Sequence, residues 1–382
     1  MPKRLIDISS YSLKGKELPE KISKEMLSTA REVGYVSDTS CRAGSFFQSD
    51  HEVLLASVAQ EGLEIMNIEE ALEKHRWLGE YWWNLISPEK DEYTRFANEH
   101  PTRGYFMRAQ PGMRVEVPIQ ACMYMGTEGI AQNVHNVIIA EEGSELHVIT
   151  GCATAPKVRG GLHIGITEFY VKKNATLSFT MIHNWAEDMV VRPRSVAQVD
   201  EGGVFLSNYF CMRPVRTLQM YPTALCKGRG SIARFNSVLV SHEGTELDVG
   251  SRVELLAPES RAEVISRAVA KGGKITARGY LAGIAPDVKG HLECRGLILS
   301  ETGEIHAVPE LVGSRPDIDL SHEAAVGKIA EEEIRYLMSR GLTAEEATAA
   351  IVRGFLDVEI KGLPEQFQES IKTAINPDGK SH

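Results

Sequence analysis

The sequence lacks both a long apolar run and any closely spaced pair of cysteines. No stretch of its 382 residues approaches the roughly 18–20 consecutive apolar residues that a membrane-spanning helix needs. None of the six cysteines belongs to a Cys-x-x-Cys pair, which disfavours a disulfide framework and a local zinc site. They are Cys41, Cys122, Cys152, Cys211, Cys226 and Cys294. We therefore predict a cytoplasmic chain with reduced thiols and no contact with a membrane.

Concentrated positive charge is also missing. The chain has 42 Lys and Arg residues against 52 Asp and Glu residues, a net charge of −10, and no basic block of five or more residues. A surface that binds nucleic acid is therefore not expected.

The first residues include the basic pair Lys3 and Arg4 without an apolar segment behind it, so nothing in them indicates secretion.

The motifs of common ATP-using and hydrolytic enzymes do not occur. Lys274 is followed by isoleucine, and Ala268 stands where a phosphate-binding P-loop needs its first glycine. The His-Glu-x-x-His motif of zinc peptidases and the Gly-x-Ser-x-Gly motif of serine hydrolases are absent too. Any energy from ATP must therefore come from another chain.

What is present is the composition of a folded globular protein, with 43% hydrophobic and 25% charged residues. Residues 1–103 carry helical signals, of which the clearest is Asn67 followed by Glu70, a pattern typical of a helix start. Apolar residues then recur at three-to-four spacing until Ser87-Pro88 ends the run. We predict a helical N-terminal region.

Residues 104–315 alternate short strand-like runs with polar turns. The turn markers are separated by 14–16 residues or by about twice that number; they are Gly143, Asn174, Gly203, Gly230, Gly244, Pro258, Gly273, Lys289 and Gly303. A constant spacing without helix-length segments is typical of a β-solenoid, whose coils pair with the coils above and below. A two-sheet sandwich, with turns about every 8–12 residues, is the alternative that the spacing disfavours.

Residues 316–382 return to a helical pattern. Ser321 is predicted to cap one helix that ends before Gly341, and Thr343 with Glu346 forms a capping box that opens a second. A last helix is predicted between Leu363-Pro364 and about residue 374. Because the open ends of a solenoid need covering, we expect the helical terminal regions to cap it.

Two positions could carry chemistry. Cys294 lies near the last predicted coil, and Ser321-His322-Glu323 lies where the solenoid should meet the C-terminal helices. A thiolate beside a carboxylate or an imidazole would suit iron. From spacing alone, the simpler interpretations are favoured: Cys294 as a small core residue, and Glu323 as a first-turn carboxylate beside the helix dipole.

Several ordered motifs resemble those of the SufB/SufD family of iron–sulfur cluster assembly proteins. They include Gly-Cys-Ala-Thr-Ala-Pro at 151–156, Asn-Trp at 184–185 and Ser-His-Glu-Ala at 321–324. Longer segments at 104–120, 137–156, 321–329, 336–347 and 351–355 resemble the family as well, so the resemblance covers nearly the whole chain.

The resemblance implies a mainly β fold, with a right-handed parallel β-helix core and α-helical N- and C-terminal regions. It further implies a non-enzymatic scaffold that builds a nascent iron–sulfur cluster. The expected partners are the ATPase SufC, docked mainly through the C-terminal helices, a sulfur donor protein, and a second copy or a SufD-like paralogue joined through the β-helix ends. Whether flavin takes part is left open by the resemblance.

The resemblance also implies roles for four residues. Cys294 and Glu323 match the cysteine and glutamate that SufB-type members use for the nascent cluster. Cys152 matches the sulfur entry point, from which a persulfide travels through the β-helix interior. His322 matches the histidine that SufD-type members carry in the same motif. Because the chain keeps both Cys294 and Glu323, we interpret it as SufB-like.

Two departures and two alternatives accompany that interpretation. His183 precedes Asn184-Trp185 where SufB-type members commonly carry glutamine, so the lining of a sulfur path would differ. Cys41 alone could not hold a separate N-terminal cluster. A SufD-like structural partner is one alternative. A β-helix carbohydrate-active enzyme is the other, and the lack of a secretion signal counts against it.

Overall fold

The computed structural model describes residues 6–15, 21–38, 42–100, 102–115 and 117–356. Cys41 and the predicted last helix at about 363–374 lie outside these residues. Within these described residues the chain forms twenty-one strands. They are β1 Gly44–Ser49, β2 Glu52–Val58, β3 Leu63–Asn67, β4 Tyr105–Ala109, β5 Ile119–Met125, β6 Ala131–Ala140, β7 Glu145–Thr154, β8 Gly160–Val171, β9 Thr176–Asn184, β10 Asp188–Val191, β11 Arg194–Val199, β12 Val204–Cys211, β13 Thr217–Met220, β14 Thr223–Cys226, β15 Ile232–Ser241, β16 Glu246–Leu255, β17 Arg261–Ala270, β18 Lys274–Gly283, β19 Lys289–Ile298, β20 Glu304–Gly313 and β21 Asp319–Gly327.

From β4 onward the chain passes back and forth between two sheets, in places through two short strands of the second sheet, and so winds into a β-solenoid of about eight coils. The first sheet has the order β2-β1-β5-β7-β9-β12-β15-β17-β19-β21. The second sheet contains β3, β4, β6, β8, β10, β11, β13, β14, β16, β18 and β20. All pairings from β5 onward are parallel; for example Val204, Ile232 and Arg261 occupy one register position in three successive coils. The predicted solenoid is confirmed.

The predicted turn rhythm is confirmed in the backbone. Gly143, Asn174 and Gly273 have positive φ values of 68°, 54° and 67°, which a glycine or an asparagine adopts with little strain. Between turns, alternate side chains of each strand point into the space between the two sheets. Ala262 and Val264 of β17 are examples, buried in the main core. The short period of the turns therefore produces one continuous, largely apolar interior.

The N-terminal region contains short helices, as predicted, together with strands β1–β3, which the prediction for residues 1–103 did not include. Strands β1 and β2 form an antiparallel hairpin, and β1 then pairs in parallel with β5, so this region extends the first sheet. Its helices are short: α1 Lys24–Arg31, α2 Ile68–Lys74 and α3 Glu92–Glu99. Asn67 caps α2 as predicted, although the helix ends at Lys74 and a 3-10 turn follows over Arg76–Glu80.

The C-terminal region corrects one prediction. Ser321 does not cap a helix; residues Asp319–Gly327 form β21, which pairs in parallel with β19 and adds a coil to the solenoid. Helix α4 begins only at Glu331 and runs to Ser339, and α5 spans Ala344–Leu356. The capping box at Thr343 is confirmed, since Glu346 N donates to Thr343 Oγ1 at 3.2 Å and Thr343 N donates to Glu346 Oε2 at 2.8 Å.

Within the part of the chain that the structure describes, no helix is both long enough and apolar enough to cross a bilayer. The division of the chain into regions at residues 103 and 315 stays a prediction.

Candidate functional site

Cys294 lies on the inner face of β19, one strand from the end of the first sheet. It is 1% exposed and belongs to the main core, with Ser266 of β17 and Ala324 of β21 directly opposite it. Burial, and then the negative charge of Glu293, raises the pKa of this thiol to about 11, while Arg267 acts in the opposite direction. Cys294 is therefore a protonated thiol at neutral pH.

Glu323 lies on the strand beside Cys294 but on the other face of the sheet. Glu323 occupies the register position opposite Glu293, and its Oε1 accepts a bond from Arg295 Nη2 at 2.9 Å. Arg295 Nε also lies 3.0 Å from Glu293, which is paired with Arg267 in turn. The structure therefore brings Cys294 and Glu323 onto neighbouring strands, yet it directs the carboxylate into an outer ion-pair network.

His322 shares the inner face with Cys294. It lies opposite Leu292, one alternate position away from the pair formed by Cys294 and Ala324. Strand spacing places the two positions about 8 Å apart. Because β21 ends the first sheet, no further described strand pairs with its outer edge, and His322 is exposed at this end. A thiol and an imidazole thus lie side by side at the free end of the solenoid.

Cys152 is distant from this end. It lies on β7 in the main core, 1% exposed, and burial raises the pKa of its thiol well above the ordinary value. Four strands of the first sheet, β9, β12, β15 and β17, separate β7 from β19. At roughly 4.8 Å per strand, the two cysteines are about 24 Å apart.

Cys152 begins a stack of polar side chains that sequence reasoning did not find as a whole. His183 lies directly opposite Cys152 on the next strand, and Cys211 lies opposite His183 on the strand after that. The Tyr209 hydroxyl lies 2.8 Å from His183 Nδ1. Burial raises the pKa of Cys211 to about 12, although a hydrogen bond with Tyr209 acts in the opposite direction. A thiol, an imidazole, a phenol and a second thiol therefore occupy three successive coils.

Serine hydroxyls continue this column toward Cys294. Tyr209 lies opposite Ser237, Ser237 opposite Ser266, and Ser266 opposite Cys294. Each of these positions lies two residues from a core residue on its own strand, so their side chains face the interior. A small cavity of about 30 Å³ touches Tyr209 and Ser237. The interior between Cys152 and Cys294 is thus polar along one edge, although the surrounding core is apolar.

Two atoms of this interior are without a protein partner in the part of the chain that the structure describes. They are Nε2 of His183 and Nε1 of Trp185, both buried. Trp185 lies between His163 and His183, at ring distances of 4.9 and 5.4 Å. Burial, followed by the neighbouring His163, lowers the pKa of His183 well below its ordinary value, so its ring is neutral. The departure noted at His183 therefore concerns a residue that faces the interior.

Among the described residues, no group of three or more His, Cys, Asp and Glu side chains lies close enough to hold a metal ion.

These features define a class of protein: a parallel β-solenoid that carries buried thiols along its interior and presents one of them beside its free end. The family model described as the SufBD core domain of the SUF system for iron–sulfur cluster assembly matches residues 123–355. The chain belongs to this family.

Known relatives agree with that assignment. An iron–sulfur cluster assembly SufBD family protein of Archaeoglobus fulgidus is 52% identical over 354 residues, which cover 93% of this chain and 94% of the relative. A family member from Methanothermobacter thermautotrophicus is 47% identical, over 95% and 89% of the two chains. The SufB protein of Bacillus subtilis is 28% identical, over 87% of this chain and 73% of its own length.

Proposed function

We propose that this chain is a SufB-like scaffold of the SUF system, located in the cytoplasm, on which a nascent iron–sulfur cluster is built as cargo. The observation that carries the proposal is the shared inner face of Cys294 and His322 at the free end of the solenoid. A thiolate and an imidazole are suitable iron ligands. Glu323, on the same strand as His322, supplies a carboxylate once it leaves Arg295.

A second chain completes the site in this proposal. The outer edges of β20 and β21 are unpaired among the described residues, and unpaired strand edges invite pairing with another chain. Val326 of β21 is 42% exposed, and Leu320 is only partly buried. A second copy or a SufD-like paralogue would cover these side chains and bring its own ligands to Cys294.

Sulfane sulfur would pass from a persulfide of the sulfur donor protein to the thiolate of Cys152, which releases the donor as a thiol, and by the same thiol–persulfide exchange it would reach Cys294 along the polar column. The separation of about 24 Å excludes a direct transfer between the two thiols. The raised pKa of Cys294 also means that the closed interior holds it as a thiol, whereas the thiolate accepts sulfur and binds iron. An opening of the solenoid must therefore accompany transfer.

The C-terminal helices provide a mechanical link for that opening. The exposed side chains of Tyr336, Met338 and Leu342 offer an apolar surface on which a SufC-type ATPase would dock. In α5, the Phe355 ring lies 5.9 Å from the guanidinium of Arg267, which is itself paired with Glu293 beside Cys294. A movement of α5 would therefore reach the neighbour of the thiol through Arg267.

The proposal is tested by co-expressing the full chain with its SufC-type ATPase and sulfur donor and measuring cluster yield by anaerobic absorption spectroscopy. Cys294→Ala should lower the yield at least about tenfold because an iron ligand is lost. Cys226→Ala is the matched control, since Cys226 is equally buried but lies on β14 in the other sheet. Phe355→Ala should reduce the yield without abolishing complex formation.

A SufD-like structural role is the second candidate, because the carboxylate of Glu323 is engaged by Arg295 whereas His322 faces the same side as Cys294. His322→Ala and Glu323→Ala separate the two roles. A scaffold loses cluster yield with Cys294→Ala and Glu323→Ala. A SufD-like subunit retains complex formation and cluster yield with both of those variants and loses yield only with His322→Ala.

A further inference from the structure

A large groove lies on the outer face of the second sheet, beside the start of α3. Its volume is about 1060 Å³, at the upper end of the range for small-molecule sites. Leu247 and Val249 of β16 point into the core, so the alternating Glu246 and Asp248 point outward into this groove. The groove is therefore separated from the interior column of Cys152 and Cys294 by the thickness of a sheet.

Positive charge dominates the groove. Six basic side chains line it against four acidic ones: Lys90, Arg192, Arg194, Arg216, Arg252 and Arg278 against Asp91, Glu92, Glu246 and Asp248. Three of the arginines have a carboxylate partner, as in the contact of 2.6 Å between Arg194 and Asp91. Lys90, Arg192 and Arg216 have none within the described part of the chain. We call the groove lined by these six basic residues the arginine groove.

Arg192 is the most informative member because it is only 6% exposed. Its guanidinium donates to Val191 O at 2.8 Å, to Thr217 O at 3.2 Å and Thr217 Oγ1 at 3.3 Å, and to the Tyr93 hydroxyl at 3.3 Å. All four acceptors are neutral. A buried charge without a counter-charge is unfavourable, so the groove is short of an anion at this point.

Neighbouring groups hold Arg192 ready for such an anion. Arg194, two residues after Arg192, makes the same kind of bonds, donating to Pro193 O at 2.8 Å and to Gln219 O at 3.2 Å. The two guanidiniums lie 5.7 and 5.2 Å from the ring centre of Tyr93. Both side chains are thus fixed by the main chain of the next coil before any ligand arrives, which lowers the entropy that binding must overcome.

Positively charged side chains also lie close to one another at the rim of the groove. The pKa of Lys90 is lowered, first by partial burial and then by the positive charges of Arg194 and Arg252. Bound negative charge would relieve this repulsion.

We propose that the arginine groove binds a phosphate-bearing small molecule of nucleotide size, with its phosphates at Arg192 and Arg216. Arg192 keeps one N–H group beyond its four described bonds and supplies mainly charge, whereas the planar fork of Arg216 can match two phosphate oxygens at once. The volume exceeds what a diphosphate alone would fill, and the ring of Tyr221 provides a surface for the rest of the ligand. The proposal concerns the outer face of the second sheet, whereas Cys294 lies on the inner face of the first, and it does not depend on the scaffold role.

The test is isothermal titration calorimetry of the full-length chain with ADP, with inorganic pyrophosphate and with adenosine. ADP and pyrophosphate should bind saturably with one site per chain, and adenosine should not. Arg216→Ala should weaken ADP binding by about tenfold or more, because a charged hydrogen-bond donor is lost. Arg229→Ala is the control, since that exposed arginine is paired with Glu259 on a distant turn.

Arg192→Ala is expected to abolish binding, but loss of a buried arginine can also impair folding. Arg216 and Lys90 are less buried, so Arg216→Ala and Lys90→Ala keep the test decisive when thermal unfolding shows that both variants fold. Absence of saturable binding by ADP and pyrophosphate at low ionic strength would overturn the proposal. Wild-type affinity in both variants would do so too, as would binding of poly-glutamate in place of pyrophosphate, which would assign the groove to an acidic protein segment.

Discussion

The phenol oxygen of Tyr209 lies 2.8 Å from Nδ1 of His183, and the two residues belong to adjacent coils of the solenoid. His183 also lies between Cys152 and Cys211 in register, so this hydrogen bond crosses the column that joins the buried thiols. Both rings are almost inaccessible to water. A buried hydrogen bond of this kind fixes the orientation of the imidazole and of everything packed on it.

Tyr209→Phe should destabilise the fold by about 1–2 kcal/mol, because His183 would be left without its described partner in an apolar interior. Urea denaturation measures the change. Tyr105→Phe is the matched control: Tyr105 is equally buried, and its hydroxyl contacts Thr150 Oγ1 at the longer distance of 3.2 Å. Since the Thr150 hydroxyl can rotate to another acceptor, the control should lose less. Equal losses in the two variants would contradict the role given to His183.

Stability should fall with alkaline pH partly through Cys211, whose pKa is about 12 in the fold and 9.0 ordinarily. Between these values the unfolded chain loses the thiol proton while the folded chain keeps it, so rising pH favours unfolding. The stabilisation that comes from the protonated Cys211 thiol is fully present below about pH 9 and is lost as the pH rises toward 12. The free energy of unfolding falls by no more than about 1.4 kcal/mol per pH unit through this group.

Cys211→Ala should therefore lose less stability than the wild type between pH 9 and pH 11. Urea denaturation at the two pH values provides the measurement. Ser207→Ala is the control. Ser207 lies four residues before Cys211 on the same face of the strand and has no titrating group, so this variant should show the same pH dependence of stability as the wild type. Parallel pH dependence in the wild type and in Cys211→Ala would refute the assignment.

Glu168→Ala should destabilise the protein by about 3 kcal/mol or more, because Glu168 is fully buried and holds the loop after α2. Its carboxylate accepts from the backbone nitrogens of Trp83 at 2.8 Å, Leu85 at 2.5 Å and Ile86 at 3.2 Å, and contacts His135 at 2.9 Å. Removal would leave all of these groups unsatisfied.

Tryptophan fluorescence checks this outcome. Trp82 stacks on His135 with ring centres 3.7 Å apart, so release of the loop should change the emission before global unfolding. Glu187→Ala, which removes an exposed carboxylate, serves as the control and should leave emission and stability unchanged. Emission from Glu168→Ala identical to that of the wild type would show that the carboxylate does not hold the loop.

Gly151→Ala should loosen the contact between α1 and the first sheet. A Cβ atom at position 151 would lie 2.3 Å from Val33 Cγ2 and 2.7 Å from Val33 O, so the segment after α1 has to move. Hydrogen exchange of the α1 amides should become faster. At Gly79, a Cβ would meet no atom within 4 Å, so Gly79→Ala is the control. Unchanged exchange in α1 would mean that this region is not packed as described.

Local signals predicted local structure correctly. The cap at Asn67 and the capping box at Thr343 are formed by side chains within three residues, so the sequence pattern contains all of the partners. Turns with positive φ, as at Gly143 and Asn174, are also local, and their spacing predicted the solenoid.

The segment at Ser321 shows where that reasoning fails. Its pattern resembles a capped helix, but main-chain pairing with β19 makes it a strand, because the stack above supplies a partner for every backbone group. The same pairing turns His322 inward and Glu323 outward. Sequence reasoning missed Cys211 as a member of the interior column because successive coils differ in length. Along the chain, Cys211 follows His183 by three residues fewer than His183 follows Cys152.

The sequence by itself determined the repeating coil, the caps, and the presence of cysteines that resemble those of cluster-assembly proteins. Only the tertiary structure decided which of these residues face one another. In a parallel stack, each neighbour comes from about thirty residues away, and the face that a side chain occupies changes with every single residue of register. Cys294 and His322 therefore share a face, and Glu323 does not, for a reason that no stretch of adjacent residues contains.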